Sequence, residues 1–310
     1  MKKRYLYTTE SAGKKGIYKF GTTKNFSKSR IKGQQTGNHE KLRYICDFVS
    51  DISDTEMHQK LMDMGYHREG DGGNEWFGGF KSEDEAIVVL LKIINTYGKL
   101  TLKKYIPRFY QDYIKLVFKQ KLESDTNETK EFVLILAPRF GKTLWALDLM
   151  VDLFKEYGYK IVAIPAYYLS ALSSFEKEFY QHEQFVDNMV FVTQKDDPKK
   201  IINENLGKKM IILAISLHIP DYENKYNFLS EIPKNQKVAF IDEADFGCHR
   251  ENSQKFINFL DCELNIYMTG TGGEKVIAPL TNIGNNIISW SYIDMLMIQN
   301  GEHPIQKELL

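Results

Sequence analysis

Cysteine is scarce in this chain: three residues of 310, Cys46, Cys248 and Cys262. Their spacing shows neither metal-ligand pairs nor a disulfide framework, so a reducing, cytoplasmic setting is expected. Long apolar runs are also lacking. None reaches the roughly eighteen residues that a membrane span needs, and the opening Met1-Lys2-Lys3-Arg4-Tyr5 has no apolar signal-peptide core. No membrane partner is expected. No internal repeat or low-complexity tract is visible. A charge excess is absent as well, since 41 Lys/Arg offset 41 Asp/Glu. What remains is an ordinary soluble composition, 43% hydrophobic and 26% charged, at a length that predicts two domains with a core each.

The balanced charge is unevenly spread. Residues 1–50 carry 12 Lys/Arg against 3 Asp/Glu, residues 51–98 carry 4 against 10, and residues 99–121 carry 7 against Asp112 alone. Basic blocks in a neutral chain point to polyanion contact, because neutralising phosphates releases counterions. Solvated lysines on an ordinary surface would give the same counts, and charge alone does not separate the two.

Two segments carry most of the chemistry. The first, Leu136-Ala137-Pro138-Arg139-Phe140-Gly141-Lys142-Thr143, ends an apolar run from Phe132 and leads into the helical pattern Leu144-Trp145-Ala146-Leu147. Backbone N–H groups at a helix N-terminus bind anions, so this strand, turn and helix start are expected to form a phosphate cradle for a nucleoside triphosphate. Lys142 would meet the β/γ phosphates and Thr143 would hold Mg²⁺, and Arg139 and Gly141 of the same turn are expected among the cofactor-binding residues. One departure is plain: Leu136 stands where the motif has its first glycine. The second segment, Phe240-Ile241-Asp242-Glu243-Ala244-Asp245, ends an apolar strand in carboxylates. That is where NTP hydrolysis needs its Mg²⁺ and its attacking water held, with Asp242 on the metal and Glu243 on the water.

Along the chain, strands are predicted at 4–8 and 17–22 around a turn, with a short helix from Asn25 carrying Arg30. A third strand follows at 42–48, then a capped helix from Ser53 carrying His58, and an apolar helix from Ala86 to Ile94. A polar, aperiodic stretch after Gly98 sets the boundary between domains 1–98 and 99–310. From residue 108 the pattern alternates: helix 108–122, strand 132–136, helix 143–157, strand 160–164, helix 168–181, and strands 189–192, 210–214, 237–241 and 264–269. The expected class is α/β, a small α+β domain followed by a P-loop domain with a mainly parallel sheet.

From about residue 105 the motifs, in serial order, resemble the first RecA-like domain of a superfamily 2 helicase or translocase. Arg108-Phe109-Tyr110-Gln111 resembles the upstream adenine-reading element, with Gln111 as the amide on the base. Val162-Ala163-Ile164-Pro165, ahead of Ser173, Ser174 and Phe175, resembles the motif that contacts a nucleic-acid backbone. Asp245 and Tyr267-Met268-Thr269-Gly270-Thr271 resemble the elements that couple hydrolysis to nucleic-acid binding. In that family ATP lies between two RecA-like domains. The sequence stops about forty residues past Thr271, so a longer chain or a partner protein is expected to supply the second domain.

Residues 4–80 resemble the GIY-YIG endonuclease domain in its phage and bacterial variant. The likeness rests on Tyr5-Leu6-Tyr7, Tyr18-Lys19-Phe20-Gly21, Arg30, Gln35-Thr36-Gly37-Asn38-His39-Glu40, Glu56-Met57-His58 and Asn74-Glu75-Trp76-Phe77. The resemblance implies that Tyr7 positions or deprotonates water and that Lys19 replaces a second tyrosine. It further implies that Arg30 holds the scissile phosphate, Glu75 binds Mg²⁺, and His58 is a proton acceptor or metal-shell partner. Together the two halves imply a Mg²⁺-dependent DNA endonuclease joined to a helicase-type ATPase, acting on double-stranded DNA in restriction, phage defence or phage DNA metabolism. The alternative is an ATP-switched nucleic-acid binding protein whose nuclease-like part is an inert clamp.

Overall fold

The computed structural model describes residues 4–11, 16–23, 42–69, 75–97, 102–166, 169–194, 196–217, 222–242, 244, 251–271, 273–278, 280 and 283–300. It divides into two compact units, Met1–Lys104 with Glu176–Glu183, and Tyr105–Phe175 with Gln184–Leu310.

The first unit is built on a five-stranded sheet of β1 (Arg4–Ser11), β2 (Tyr18–Thr23), β3 (Leu42–Ser50), β4 (His67–Arg68) and β5 (Trp76–Gly78). The order is β3-β1-β2-β5-β4 and every pairing is antiparallel. Period-two alternation in β2 puts Tyr18 and Phe20 into the core, with Lys19 at the intervening position. The helix Asp54–Asp63 starts at the predicted capping box. Ser53 Oγ accepts from the Glu56 amide, and the Glu56 side chain accepts from the Ser53 amide. The helix Glu83–Tyr97 buries Ala86, Val89, Leu90, Ile93 and Ile94. This spacing of three and four lays one stripe against Phe20, Phe77 and Phe80. Tyr66 stacks on Phe80 with ring centroids 4.1 Å apart. The helix predicted from Asn25, and the Gln35–Glu40 turn, lie outside the described residues.

The second unit carries a seven-stranded sheet of β6 (Lys130–Leu136), β7 (Ile161–Ala166), β8 (Met189–Val192), β9 (Met210–Ser216), β10 (Lys237–Ile241), β11 (Leu264–Thr269) and β12 (Ile287–Trp290). Its order is β12-β6-β11-β10-β7-β9-β8, with every pairing parallel. Strands β7, β9, β10 and β11 are buried at every residue, because helices cover both faces of a parallel sheet. The edge strand β12 alternates instead, with Ile288 and Trp290 buried. This is the expected α/β arrangement with a parallel sheet. The strand of the phosphate turn, β6, is separated from the strand of the carboxylates, β10, by β11 alone. Their C-terminal ends therefore lie about two strand spacings apart, roughly 10 Å, with the Thr269–Thr271 turn between them. No described helix is long and apolar enough to cross a membrane.

Candidate nucleotide site and the Lys19–Glu75 pair

The phosphate turn is set by backbone conformation. Phe140 N donates to Ala137 O at 3.1 Å, and Gly141 N-caps the helix Lys142–Tyr157 in the left-handed region, φ 88°. Glycine is required there twice over. A side chain at that φ is strained, and a Cβ would stand 2.8 Å from Gln111 Nε2. Arg139, exposed, also has positive φ, 69°. Lys142 and Thr143 occupy the first turn of the helix, where free N–H groups and the helix dipole favour an anion.

Lys142 reaches across the strand ends. A Cβ built on Gly270, just past β11, would lie 3.2 Å from Lys142 Nζ and 3.8 Å from Leu136 O. The ammonium thus sits over the turn between β6 and β10. Asp242 follows β10 directly and is half-buried. In the same turn as Gly270, Thr269 is fully buried, its hydroxyl donating to Thr271 O and accepting from Thr271 N. Glu243 and Asp245 lie outside the described residues.

Gln111 is 3% exposed and its amide is engaged on both sides. Its Oε1 accepts from Arg108 N at 2.8 Å and from Tyr105 OH at 3.0 Å, and its Nε2 donates to Phe140 O at 2.9 Å. Gln111 is the third residue of the helix Phe109–Ser124, so the first of these bonds is half of a capping box begun by Arg108. Burial, with Asp148 and Asp112 nearby, pushes the Tyr105 phenol above its ordinary value, which keeps the proton it donates. The Gln111 carbonyl accepts from Trp145 Nε1 at 3.0 Å. Lys115 and Lys119 pair with Asp148, Asp152 and Glu156, joining this helix to the one that starts at Lys142. Tyr110 packs on Phe140 and stacks on Trp290, whose carbonyl accepts from Ala137 N at 2.8 Å. Tyr105, Trp145 and Trp290 were not foreseen. A Trp three positions after Lys142, with an indole N–H needing an acceptor, was the available signal.

In the first unit, Lys19 Nζ meets Glu75 Oε2 at 2.9 Å, with Lys19 mostly buried and Glu75 half-exposed. Registers Lys19↔Trp76 and Tyr18↔Phe77, with Phe20 N donating to Glu75 O at 2.9 Å, fix where that pair forms. His58 is 5% exposed, packs on Phe77, and its Nε2 lies 2.8 Å from Phe20 O. Tyr7 is in β1 opposite Gly21 and Asp47, with its side chain outside the description, as is the whole of Arg30. Among the described residues no group of three or more His, Cys, Asp or Glu gathers to hold a metal ion.

No family model matches the chain, and no curated protein matches it. Several solved structures show partial likeness, three of them as follows. One is the Sulfolobus solfataricus SWI2/SNF2 ATPase core in complex with dsDNA, at 19% identity and TM-score 0.42, covering 63% of this chain and 46% of that one. Another is the Pyrococcus furiosus Hef helicase domain, at 20% identity and TM-score 0.43, covering 60% and 38%. The third is the UvsW helicase from bacteriophage T4, at 12% identity and TM-score 0.39, covering 91% and 99%. The chain thus spans less than half the length of the first two. Likeness this low transfers no activity, so what the chain does is read from its own residues.

Proposed function

We propose that the Tyr105–Leu310 unit binds ATP with Mg²⁺ and hydrolyses it as the motor or switch of a DNA-acting, helicase-type protein. The observation that carries this is the Lys142 ammonium over Gly270, at the head of a helix and between the strand ends that bear the phosphate turn and Asp242. The Thr143 hydroxyl and the Asp242 carboxylate are the hard oxygen donors that Mg²⁺ takes, so the chemistry of these residues fits the ion. When bound, Mg²⁺ spreads the charge that develops on the phosphates. Lys142 places a second positive charge there, the first-turn N–H groups orient the phosphates, and Glu243 takes the proton of the attacking water. Gln111 keeps one N–H for the adenine edge while its other bonds hold the turn. A second RecA-like domain, in a longer chain or a partner, completes the site. Calorimetry with a non-hydrolysable ATP analogue and Mg²⁺ tests the reading: Lys142→Ala is expected to abolish measurable binding. Equal affinity in both proteins rules it out.

For the first unit the reading is a nuclease-like DNA module, supported by the Lys19–Glu75 pair at the junction of β2 and β5. Glu75 is an oxygen donor that a metal could take there, and no group of three or more His, Cys, Asp or Glu gathers among the described residues. Glu75 faces an ammonium, so the described residues alone do not make a metal site. Lys19 and Arg30 would hold a phosphodiester by charge, with Tyr7 beside the water. Cleavage of supercoiled DNA with Mg²⁺ or Mn²⁺, lost in Glu75→Ala, is the expected result. Salt-sensitive DNA binding without cleavage identifies the inert clamp instead.

A further inference from the structure

His58 sits inside the core, yet it ends on the strand that carries Lys19. Its Nε2 is 2.8 Å from Phe20 O. A carbonyl can only accept, so Nε2 bears a proton and donates. The amide of that same residue, Phe20 N, donates to Glu75 O at 2.9 Å. In an antiparallel ladder the N–H and C=O of a hydrogen-bonded residue face the same neighbouring strand. Both Phe20 groups therefore face the β5 side, where β5 begins at Trp76 and Glu75 is the residue just outside it. The ring of His58 completes the ladder at its last rung.

We propose that His58 is a positioning residue: by holding the Phe20 carbonyl from the buried side, it fixes the end of the β2–β5 ladder and so the place of Glu75 opposite Lys19. Its ring is held by Phe77, with centroids 5.1 Å apart, and its Asp54–Asp63 helix is anchored by the Ser53–Glu56 capping box. The donor thus comes from a rigid element. His58 holds the Phe20–Gly21 peptide, and the neighbouring Lys19–Phe20 peptide, which carries the Phe20 N–H, shares the Phe20 Cα with it and turns with it. That second peptide ends on the Lys19 Cα and donates to the Glu75 carbonyl, so both residues follow a shift at Phe20. This assigns His58 to orientation, where the family resemblance implies proton transfer or a metal shell. Only the cleavage arm of the following test rests on the nuclease reading.

The test uses the full chain with two variants. His58→Phe keeps an aromatic ring against Phe77 and removes the donor, whereas His58→Gln returns an N–H at the distance of Nε2. Amide hydrogen exchange at Phe20 is read first. His58→Phe is expected to lose about tenfold or more of its protection, His58→Gln is expected to restore it, and Phe240 in the other unit serves as the unaffected control. DNA cleavage is read second. His58→Phe is expected to lower kcat about tenfold or more with KM nearly unchanged, and His58→Gln to recover it. Wild-type Phe20 protection in His58→Phe overturns the proposal. So does a His58→Gln protein with restored protection but no cleavage, because that outcome makes the imidazole itself a reactant. If the wild type cuts no DNA, the nuclease reading falls while the exchange arm still decides the role of His58. Should His58→Phe fail to fold, loss of Phe20 protection without restoration in a folded His58→Gln protein overturns it equally.

Discussion

Gln111 and Phe140 are joined by one buried hydrogen bond, Nε2 to carbonyl oxygen at 2.9 Å. It ties the start of the helix Phe109–Ser124 to the residue just before Gly141. The phosphate turn is therefore held from outside its own loop, by an amide whose oxygen is already committed to Arg108 N and Tyr105 OH.

Removing that amide should cost stability as well as nucleotide binding. Gln111→Ala leaves Arg108 N and Phe140 O without their side-chain partner inside the protein. One or two such groups cost about 2–4 kcal/mol. Thermal unfolding should shift down by several degrees, and the loss should be present without any nucleotide. A variant with unchanged stability but weaker ATP binding would mean that Gln111 meets only the base.

Gly141→Ala combines two penalties, a left-handed backbone that disfavours a side chain and a Cβ 2.8 Å from Gln111 Nε2. Together they should destabilise by about 1–3 kcal/mol. The second penalty disappears when Gln111 is also alanine. The double variant should accordingly be more stable than the sum of the single effects predicts, by about 0.5 kcal/mol or more. Strict additivity in denaturant unfolding would show that the two residues do not press on each other.

Stability should decline on the alkaline side. Burial pushes the Cys262 thiol up to about 12 from its ordinary 9.0, and the Tyr226 phenol up to about 12 from 10.0. Burial also raises Tyr66 and Tyr159, and Tyr105 with them. The folded chain keeps these protons through a range where the unfolded chain has released them. Stability therefore holds below pH 9 and falls as pH rises from 9 toward 12, by up to about 1.4 kcal/mol per pH unit for each fully shifted group. Urea midpoints measured from pH 8 to 11 should fall progressively, and Cys262→Ala should delay the onset. A flat profile would contradict the burial of these groups.

The parallel sheet was legible because strands buried on both faces read as unbroken apolar runs. Lys130–Leu136, Met210–Ser216, Lys237–Ile241 and Leu264–Thr269 all fall within a few residues of their predicted spans. The strands β4 and β5 were not foreseen, since two or three residues give no period to detect, and the edge strand β12 was not foreseen either. Gln111 stood out in the sequence as a base-reading amide. Its capping bond to Arg108 N was hidden because a capping box normally begins with a small hydroxyl residue, and Arg108 is not one. The Lys19–Glu75 pair joins residues far apart in the chain through β2–β5 register, which a local pattern cannot encode. His58 was visible as a residue type, but its aim at Phe20 O depends on how a helix packs under that junction.

The adjacent carboxylates after β10 should separate under isosteric substitution. Asp242 directly follows the fully buried strand β10, and Glu243 is the next residue in the sequence. Glu243→Gln keeps size and hydrogen bonding while removing the group that can take the water's proton. Nucleotide affinity should stay within a few-fold of wild type, while single-turnover hydrolysis in the presence of DNA should fall about a hundredfold or more. Asp242→Asn weakens an oxygen donor to Mg²⁺ and should reduce Mg²⁺-dependent ATP affinity itself. Filter binding of labelled ATP across a Mg²⁺ titration, run beside quench-flow hydrolysis, reads the two effects apart. A Glu243→Gln protein that turns over ATP at the wild-type rate would move the general base to another residue.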